Sequence, residues 1–440
     1  MTEKEKMLAG EWFSSPDEEL TVERRRTERL LRRLNVELTA DDEAYCTTLR
    51  ELLAPGSEGF IRAPFYCDYG YNISLGRGTF LNFDCVILDL ASVRIGCRTL
   101  IGPKVQLLTA HHPFDVQQRA AGLEAGRPIV VYDSLSVREG VTLSMAAGVQ
   151  LYFHDGANLW VHGRIVAEGT VDRPVVFRGD RTDRMFDYLP YDNTPSRWGG
   201  IRLKATSTDN RLNHVDIHSA SYGIACDSSS TDVMKLTLEN SVIHNVGGEG
   251  LGLYHCRASV GNTQISNTLG HCVAVVGGWA EFVHCTLAQF YPWDATRGDA
   301  LYLANKWLAL DYPLQHAHFL NCLVTGYADN VVTGNLEDEN KDVDYYFGNC
   351  VLRTVEAEDD AARFVGVVYE KKGEEGTGQE QFRLFDTDNY LYDFRLKDIS
   401  VARGKGSTEW AARYPTDRYG IDRLTEPTPD AGCYEFVPEE

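Results

Sequence analysis

Long apolar runs are missing from this sequence of 440 residues. It contains no stretch of about 18 apolar residues, so it predicts no transmembrane helix. Its charged beginning, Met1-Thr-Glu-Lys-Glu-Lys6, lacks the apolar core of a secretory signal peptide. We therefore expect a cytoplasmic protein.

An excess of basic residues is also missing. The chain has 64 acidic and 43 Lys or Arg residues, a net charge of −21, and most of the acidic excess follows residue 129. A surface with this charge repels nucleic acid and anionic membranes. We expect neither as a partner.

The cysteines lack the pattern of a disulfide framework. There are 11 of them, an odd number, spread along the chain, which indicates reduced and mostly buried thiols. Adjacent residues of a strand point to opposite faces, so a neighbouring His and Cys rarely share a zinc ion. Ladders of like residues inside a solenoid are the favoured interpretation, zinc is the alternative, and we predict no metal. The pairs concerned are His255-Cys256, His271-Cys272 and His284-Cys285.

Helical periodicity is confined to the beginning of the chain. Apolar residues recur at helical spacing within residues 3–53, in three segments at 3–13, 17–36 and 41–53. The arginines of the second segment alternate with glutamates at ion-pair spacing, which favours a solvated helix face over a nucleic-acid site.

A six-residue aliphatic repeat follows within residues 60–129. A repeat of six places short strands on the three faces of a prism, which is a parallel β-helix, wound left-handed in this version. Three hexads make one coil, so the repeat predicts about two coils. Its members are Leu75-Gly76, Leu81, Ile87, Ile95-Gly96, Ile101-Gly102 and Leu107.

Five motifs mark the first 129 residues. They are Glu5–Glu11, Tyr66–Asn72, Asn82-Phe83-Asp84, Thr109-Ala-His-His-Pro113 and the spaced set Arg119, Gly122, Glu124, Gly126, Pro128-Ile129. In this order and spacing the segment resembles the maltose and galactoside O-acetyltransferases. The resemblance implies transfer of an acetyl group from acetyl-coenzyme A to a hydroxyl of a small sugar such as maltose or glucose.

The resemblance also implies a set of site residues. His112 takes the position of the base that accepts the hydroxyl proton during attack on the thioester. Asn82 takes the position of an acceptor-binding amide, and Asp68 lies in the acceptor-side segment. Asp89 and Glu124 are candidates for orienting the histidine or contacting sugar hydroxyls, with solvated loop carboxylates as the alternative.

The six-residue period does not return after residue 129. In the resembled family, further coils supply much of the coenzyme A groove and the oxyanion donor, and sites form between the prisms of a trimer. Val130–Gly140 stands in place of those coils. We therefore expect an enzyme impaired by loss of the donor-binding coils, and a weakened homotrimer.

Residues 130–440 have a longer repeat. Short β-rich runs alternate with glycine-centred turns. In the later runs the last residue is aliphatic, and these aliphatic residues are 22 to 37 residues apart along the chain. Steps of this size, with Asn or Cys beginning a strand, predict stacked three-strand coils. The segment resembles right-handed parallel β-helix repeat proteins. The closing residues are Ile217, Ile243, Ile265, Leu287, Val324 and Leu352.

The predicted fold is therefore mainly β. A short helical region leads into about two left-handed coils in a first domain, residues 1–129. A right-handed parallel β-helix solenoid forms a second domain, residues 130–440. Two domains are also what a chain of this length favours.

A non-catalytic carbohydrate-binding or structural β-helix protein is the second function that the sequence leaves open. Two insertions are rich in aromatic residues and aspartate: Phe186–Asp192 with Trp198, and Tyr291–Asp294 with Tyr312. Aromatic rings beside carboxylates suit glycan binding or cleavage by a carboxylate pair. The favoured alternative is that these rings pack the insertions onto the solenoid.

Overall fold

The computed structural model describes residues 1–95, 99–113, 115–126, 130–131, 133–181, 183–307, 310–337, 343–357, 360–425 and 427–438. Gly96 of the six-residue repeat and Pro128-Ile129 of the last motif lie outside the described residues. No helix in these ranges is long and apolar enough to cross a membrane.

The chain forms two compact units. The first comprises Met1–Val131, Val141–Ser144 and Gln150–Tyr152. The second comprises Tyr132–Gly140, Met145–Val149 and Phe153–Glu440. The predicted domain boundary near residue 130 stays a prediction, which unfolding experiments can test.

Helices begin the chain, as the periodicity predicts, and short strands follow. The side chains of Thr2 and Asp17 cap the first two helices by accepting backbone N–H groups. The helices are α1 Glu3–Ala9, α2 Glu18–Arg32 with a π-helical turn Arg33–Glu37, α3 Glu43–Leu52 and α4 Val116–Ala120. The strands up to residue 131 are β1 Phe13–Ser14, β2 Phe60–Ile61, β3 Phe65–Cys67, β4 Ile73–Leu75, β5 Phe80–Leu81, β6 Cys85–Leu88, β7 Val93–Ile95, β8 Leu100–Ile101, β9 Gln106–Leu108, β10 Ala110–His111, β11 Leu123–Gly126 and β12 Val130–Val131.

The six-residue repeat forms three small parallel sheets: β4 with β7, β2-β5-β8 and β3-β6-β9. Register partners from successive coils are Leu75 and Ile95, Leu81 and Ile101, and Ile87 and Leu107. The aliphatic residues of the first coil are buried, whereas their partners in the second coil are only partly buried. The prediction of about two coils is confirmed.

The second repeat builds a solenoid whose stacked coils are joined by parallel strand pairs. The described residues of this segment also form antiparallel pairs: Arg184–Phe186 with Leu189–Pro190, Lys306–Trp307 with Leu310–Asp311, and Phe382–Asp386 with Leu391–Leu396. Its strands continue the series as β13 Leu135–Val137, β14 Thr142–Ala146, β15 Gln150–Phe153, β16 Asn158–Val161, β17 Arg164–Glu168, β18 Val175–Gly179, β19 Arg184–Phe186, β20 Leu189–Pro190, β21 Gly200–Leu203, β22 Asn210–Asn213, β23 Val215–His218, β24 Ile224–Cys226, β25 Met234–Glu239, β26 Val242–Val246, β27 Leu251–Gly261, β28 Gln264–Thr268, β29 Val273–Val283, β30 Thr286–Gln289, β31 Leu301–Ala304, β32 Lys306–Trp307, β33 Leu310–Asp311, β34 Leu314–Leu320, β35 Leu323–Gly326, β36 Val332–Asn335, β37 Val343–Gly348, β38 Val351–Leu352, β39 Phe364–Val365, β40 Val368–Tyr369, β41 Phe382–Asp386 and β42 Leu391–Leu396. Among the described residues of this segment, Thr408–Ala411 forms the α-helix α5, and short 3₁₀-helices span Tyr191–Asn193 and Gly378–Gln381.

One solenoid sheet runs in the order β18-β23-β26-β28-β30-β35-β38-β40. Each predicted closing aliphatic is the register partner of the next one along the chain, from Ile217 through Leu352. The mainly β class and the stacked parallel coils are therefore confirmed. The left-handed winding of the first β-helix and the right-handed winding of the second stay predictions.

The asparagines of the repeat lie in the turns before the strands rather than in the strands themselves. Asn240, Asn262, Asn321 and Asn349 have φ between 49° and 52°, a left-handed conformation that asparagine tolerates better than most residues. Their side chains stack between coils: Asn262 Nδ2 donates to Asn240 Oδ1 at 3.1 Å. The expectation that asparagine begins each strand is therefore wrong, because each of these asparagines lies two residues before the strand that follows it.

Three solenoid cysteines, Cys285, Cys322 and Cys350, form a ladder, and the first of them belongs to one of the three His-Cys pairs. The backbone N–H of Cys285 donates to Cys322 Sγ at 3.5 Å, and that of Cys322 donates to Cys350 Sγ at 3.3 Å. All three side chains are fully buried. Among the cysteines of the three His-Cys pairs, the ladder interpretation is therefore confirmed for Cys285.

The aromatic insertions pack mainly onto the solenoid. Trp198 is fully buried, stacks on Phe153 at a ring distance of 4.4 Å, and donates its Nε1–H to the carbonyl of His218 at 2.8 Å. Tyr291 is also buried. Phe186 stays exposed. The favoured packing interpretation is confirmed for Trp198 and Tyr291.

Candidate active site

A small antiparallel sheet in the first unit carries the His-His-Pro motif. Strand β11 pairs on one side with β10 and on the other with β1. His112 comes directly after β10. Pro113 has no N–H to continue the ladder, so strand pairing ends before it.

Glu124 faces His112 across this sheet. The register pairs Ala110 with Gly126 and His111 with Ala125, so the next step places His112 opposite Glu124. The His112 Nδ1 atom lies 4.0 Å from Glu124 Oε1. The His112 side chain is 47% exposed and that of Glu124 is 25% exposed. The imidazole is therefore open to an incoming molecule while its Nδ1 faces a carboxylate.

Asp68 belongs to the same group of charges. Burial first and the charge of Glu124 second raise the pKa of Asp68 to about 6, against the opposing charge of Arg24. The structure thus places Glu124 close to both Asp68 and His112, which links three of the five predicted residues. An exposed imidazole beside a carboxylate can accept a proton from a bound hydroxyl group.

Asp89 has a different position. Its side chain is fully buried, and its oxygens accept the backbone N–H groups of Asp68 at 3.1 Å, Tyr69 at 2.9 Å and Asn72 at 3.3 Å. The pKa of Asp89 is raised to about 7, mainly by burial and to a smaller extent by the charge of Asp68, against the opposing hydrogen bond from the N–H of Tyr69. Asp89 therefore fixes the turn that carries Asp68.

Asn82 follows strand β5 on the prism. Its Oδ1 accepts the N–H of Phe83 at 2.9 Å, and its own N–H donates to the carbonyl of Ile101 at 3.0 Å. In the described part of the chain, no hydrogen bond joins Asn82 to any of the other four predicted residues.

Arg24 is a residue of this region that the sequence interpretation placed on a solvated helix face. Its guanidinium donates to Tyr69 Oη at 2.8 Å and to the carbonyl of Ser15 at 2.6 Å, and its charge acts on Asp68. One feature of the sequence could have distinguished Arg24 from the neighbouring arginines: it borders the apolar stripe of α2.

Comparisons with known proteins converge on this unit. Residues 6–56 match the model of the maltose acetyltransferase hexapeptide capping motif. The chain is 49% identical over 129 residues to Nodulation protein L from Rhizobium meliloti, which covers 29% of this chain and 70% of that protein.

Two solved structures are similar as well. The crystal structure of a maltose O-acetyltransferase from Clostridium difficile 630 is 33% identical with a TM-score of 0.29, covering 40% of this chain and 84% of that one. A galactoside acetyltransferase in complex with coenzyme A is 22% identical with a TM-score of 0.28, covering 40% of this chain and 78% of that one.

Proposed function

The chain belongs to the hexapeptide-repeat acetyltransferases, and we propose that it transfers an acetyl group from acetyl-coenzyme A to a hydroxyl of a small sugar such as maltose or glucose. Family membership rests on the 49% identity that spans 70% of a relative. The proposed reaction rests on one observation, the placement of the exposed His112 opposite Glu124, whose charge also acts on Asp68.

In the proposed reaction His112 is the general base. With the Nδ1 proton directed at Glu124, the Nε2 lone pair accepts the proton of the sugar hydroxyl as its oxygen attacks the thioester carbonyl carbon. A carbon–oxygen bond forms, the carbon–sulfur bond breaks, and the imidazolium returns its proton to the departing thiolate. The negative charge of Glu124 favours the imidazolium that forms in between.

The acceptor side is proposed to be formed by Asp68 and Asn82. A carboxylate and an amide are both able to hydrogen-bond several sugar hydroxyls. Asp89 is a positioning residue in this proposal, because its oxygens are occupied by the backbone of the turn that carries Asp68.

The donor side limits turnover in this proposal. The prism has two coils and its last strand, β9, ends at Leu108, whereas the resemblance implies further coils for coenzyme A. A shorter prism offers less surface to the donor, so we propose weak binding of acetyl-coenzyme A and slow turnover.

Acetyl transfer by the full-length chain tests the proposal. The purified protein is mixed with acetyl-coenzyme A and either maltose or glucose, and released coenzyme A and acetylated sugar are both quantified by chromatography. Chromatography avoids thiol reagents, which would also react with the protein's 11 cysteines. We expect slow, sugar-dependent release that does not saturate at ordinary donor concentrations. Release that is equal with and without sugar would contradict the proposal.

A groove in the second unit supports the second candidate function, carbohydrate binding by the solenoid. The groove has a volume of about 450 Å³. Its walls include Tyr222, Tyr254, Trp307 and Tyr312 with the carboxylates of Asp227 and Glu249. Rings beside carboxylates suit the apolar and hydroxyl faces of a sugar. Retardation of the full-length chain in polysaccharide-containing gels, reduced by Trp307→Ala, tests this candidate.

A further inference from the structure

A second group of histidines lies on strand β34 of the solenoid. His316 and His318 are two residues apart, so their side chains point to the same face of the strand, and Ala317 between them is fully buried. The neighbouring strand β37 pairs Tyr345 with Ala317 and Tyr346 with His318. This register places Asp344 beside His316.

Two imidazoles and one carboxylate converge here. The His318 Nε2 atom is 3.1 Å and the His316 Nδ1 atom 3.6 Å from the same oxygen, Asp344 Oδ2. The two rings stack with centroids 3.5 Å apart. The three ligand-type atoms all lie within 4.8 Å of one another, a separation that one metal ion can span after small rotations of the side chains.

We propose that His316, His318 and Asp344 bind one divalent first-row transition-metal ion. Imidazole nitrogens suit zinc, cobalt, nickel, copper and ferrous iron, and a carboxylate as the third ligand is common in such sites. Three protein ligands leave at least one coordination position open. Asp344 is 54% exposed, so water or a small solute completes the coordination.

The surroundings of His316 support this ligand set. Its Nε2 is buried and has no hydrogen-bond partner among the described residues. Coordination through Nδ1 would fix the proton on Nε2, which faces Glu281 Oε2 at 4.0 Å. A metal-bound histidine usually directs its second N–H at a carboxylate in this way. Arg413 pairs with the other oxygen of Glu281.

Stacking also fixes the His316 ring. Trp279 is its register partner on β29, and the two rings are nearly parallel at a centroid distance of 4.5 Å. Arg257 is the register partner of Trp279 on the preceding strand β27, and its guanidinium lies 4.6 Å from the centroid of the Trp279 ring. A ring held in this manner presents its Nδ1 in one direction, which lowers the cost of ordering a ligand.

A second cluster in the same solenoid, Asp216, His218 and His244, has a similar composition but a different chemistry. His218 Nδ1 lies 2.8 Å from Asp216, and His218 Nε2 lies 2.9 Å from Asp192. Burial opposes protonation of His218, but these two carboxylates raise its pKa to about 10. Both ring nitrogens therefore carry protons, and neither offers a lone pair. This cluster is a buried ion-pair network and a natural control.

Cobalt binding to the full-length chain tests the proposal. Chelator-treated protein is titrated with Co²⁺ alone, and visible absorption reports coordination geometry, whereas an intense near-ultraviolet band would report thiolate ligands. We expect one Co²⁺ per chain without a thiolate band. His318→Ala and Asp344→Asn should each weaken binding by at least about a hundredfold, the upper end of the 10- to 100-fold effect of supporting residues.

His244→Ala is the matched control. It removes a histidine from the ion-pair network, and the His244 side chain is 26% exposed, close to the 24% of His318. It should bind Co²⁺ as the wild type does. Metal-free circular dichroism and melting show that each variant is folded, and Asp344→Asn keeps the test open if His318→Ala does not fold. The proposal is overturned by absent binding in the wild type, by binding that survives both ligand substitutions, by loss in His244→Ala, or by a thiolate band.

Discussion

Glu124 lies opposite His112 in the antiparallel pair of β10 and β11, with its Oε1 4.0 Å from Nδ1 of the imidazole. The same carboxylate raises the pKa of Asp68, whose main perturbation is burial. One side chain therefore acts on both the proposed base and the proposed acceptor-binding carboxylate. Substitution of Glu124 should therefore change the pH dependence of the site through the pKa of Asp68.

Glu124→Gln should lower the pKa of Asp68. The folded-state pKa of Asp68 is about 6, above the ordinary value of 3.8 for an aspartate, so Asp68 loses its charge as the pH falls through about 6. Removing the neighbouring negative charge lets Asp68 stay ionised to lower pH. The acid limb of a plot of the sugar KM against pH should then move to lower pH. Glu58→Gln, at an exposed ion pair with Arg77, is the control and should leave that limb in place.

His112→Ala should abolish acetyl transfer, whereas His111→Ala should not. General-base catalysis contributes roughly 10²–10⁴-fold, so the loss should far exceed any effect of altered folding. Successive side chains of an extended backbone alternate between faces, so one acceptor hydroxyl cannot be served by both histidines. Sugar binding, measured by calorimetry, should survive His112→Ala. Equal damage by the two substitutions would disprove the assignment.

The stability of the second unit should fall between pH 7 and pH 9 because of His218. Its folded-state pKa is about 10, above the ordinary value of 6.5 for a histidine. This stabilisation is complete below pH 6.5 and is lost as the pH rises towards 10. From pH 7 to 9 the loss should be about 2 kcal/mol. Denaturant unfolding of wild type and His218→Gln at several pH values measures it: the variant should lack this slope, and the exposed His154→Gln control should keep it.

Self-association should be weak. The resemblance implies trimers built by contacts between prisms, and the prism here has two coils. A shorter prism buries less surface between subunits, which reduces affinity. Light scattering over a range of concentrations measures the assembly. A trimer that persists at micromolar concentration would show that two coils are sufficient.

The two units should unfold in separate transitions. Each has its own repeat and its own compact set of contacts, and interfaces between such units in one chain are usually modest. Calorimetry of the full-length chain should show two transitions. A single transition shared by all probes would contradict independent domains with a boundary near residue 130.

Much of the fold could be predicted because inward-facing aliphatic residues recur at the length of one coil. The six-residue series predicted the pairing of Leu75 with Ile95, and the longer series predicted that of Ile217 with Ile243. A residue that must be buried in every coil fixes the strand register by itself. The turn asparagines were misplaced because the left-handed conformation depends on backbone geometry that the side-chain pattern does not record.

The sequence by itself determined the class of fold and the family, and it singled out His112 as the candidate base, since all three depend on local order and spacing. Only the tertiary structure showed how the surroundings of the candidate carboxylates differ. Asp89 and Glu124 look alike in the sequence, yet one is buried under backbone N–H groups and the other faces the imidazole. The convergence of His318 with Asp344 was likewise invisible, because it arises from strands of successive coils. Such contacts depend on how far each inserted loop displaces the next coil along the chain, and that displacement is set by packing rather than by any short motif.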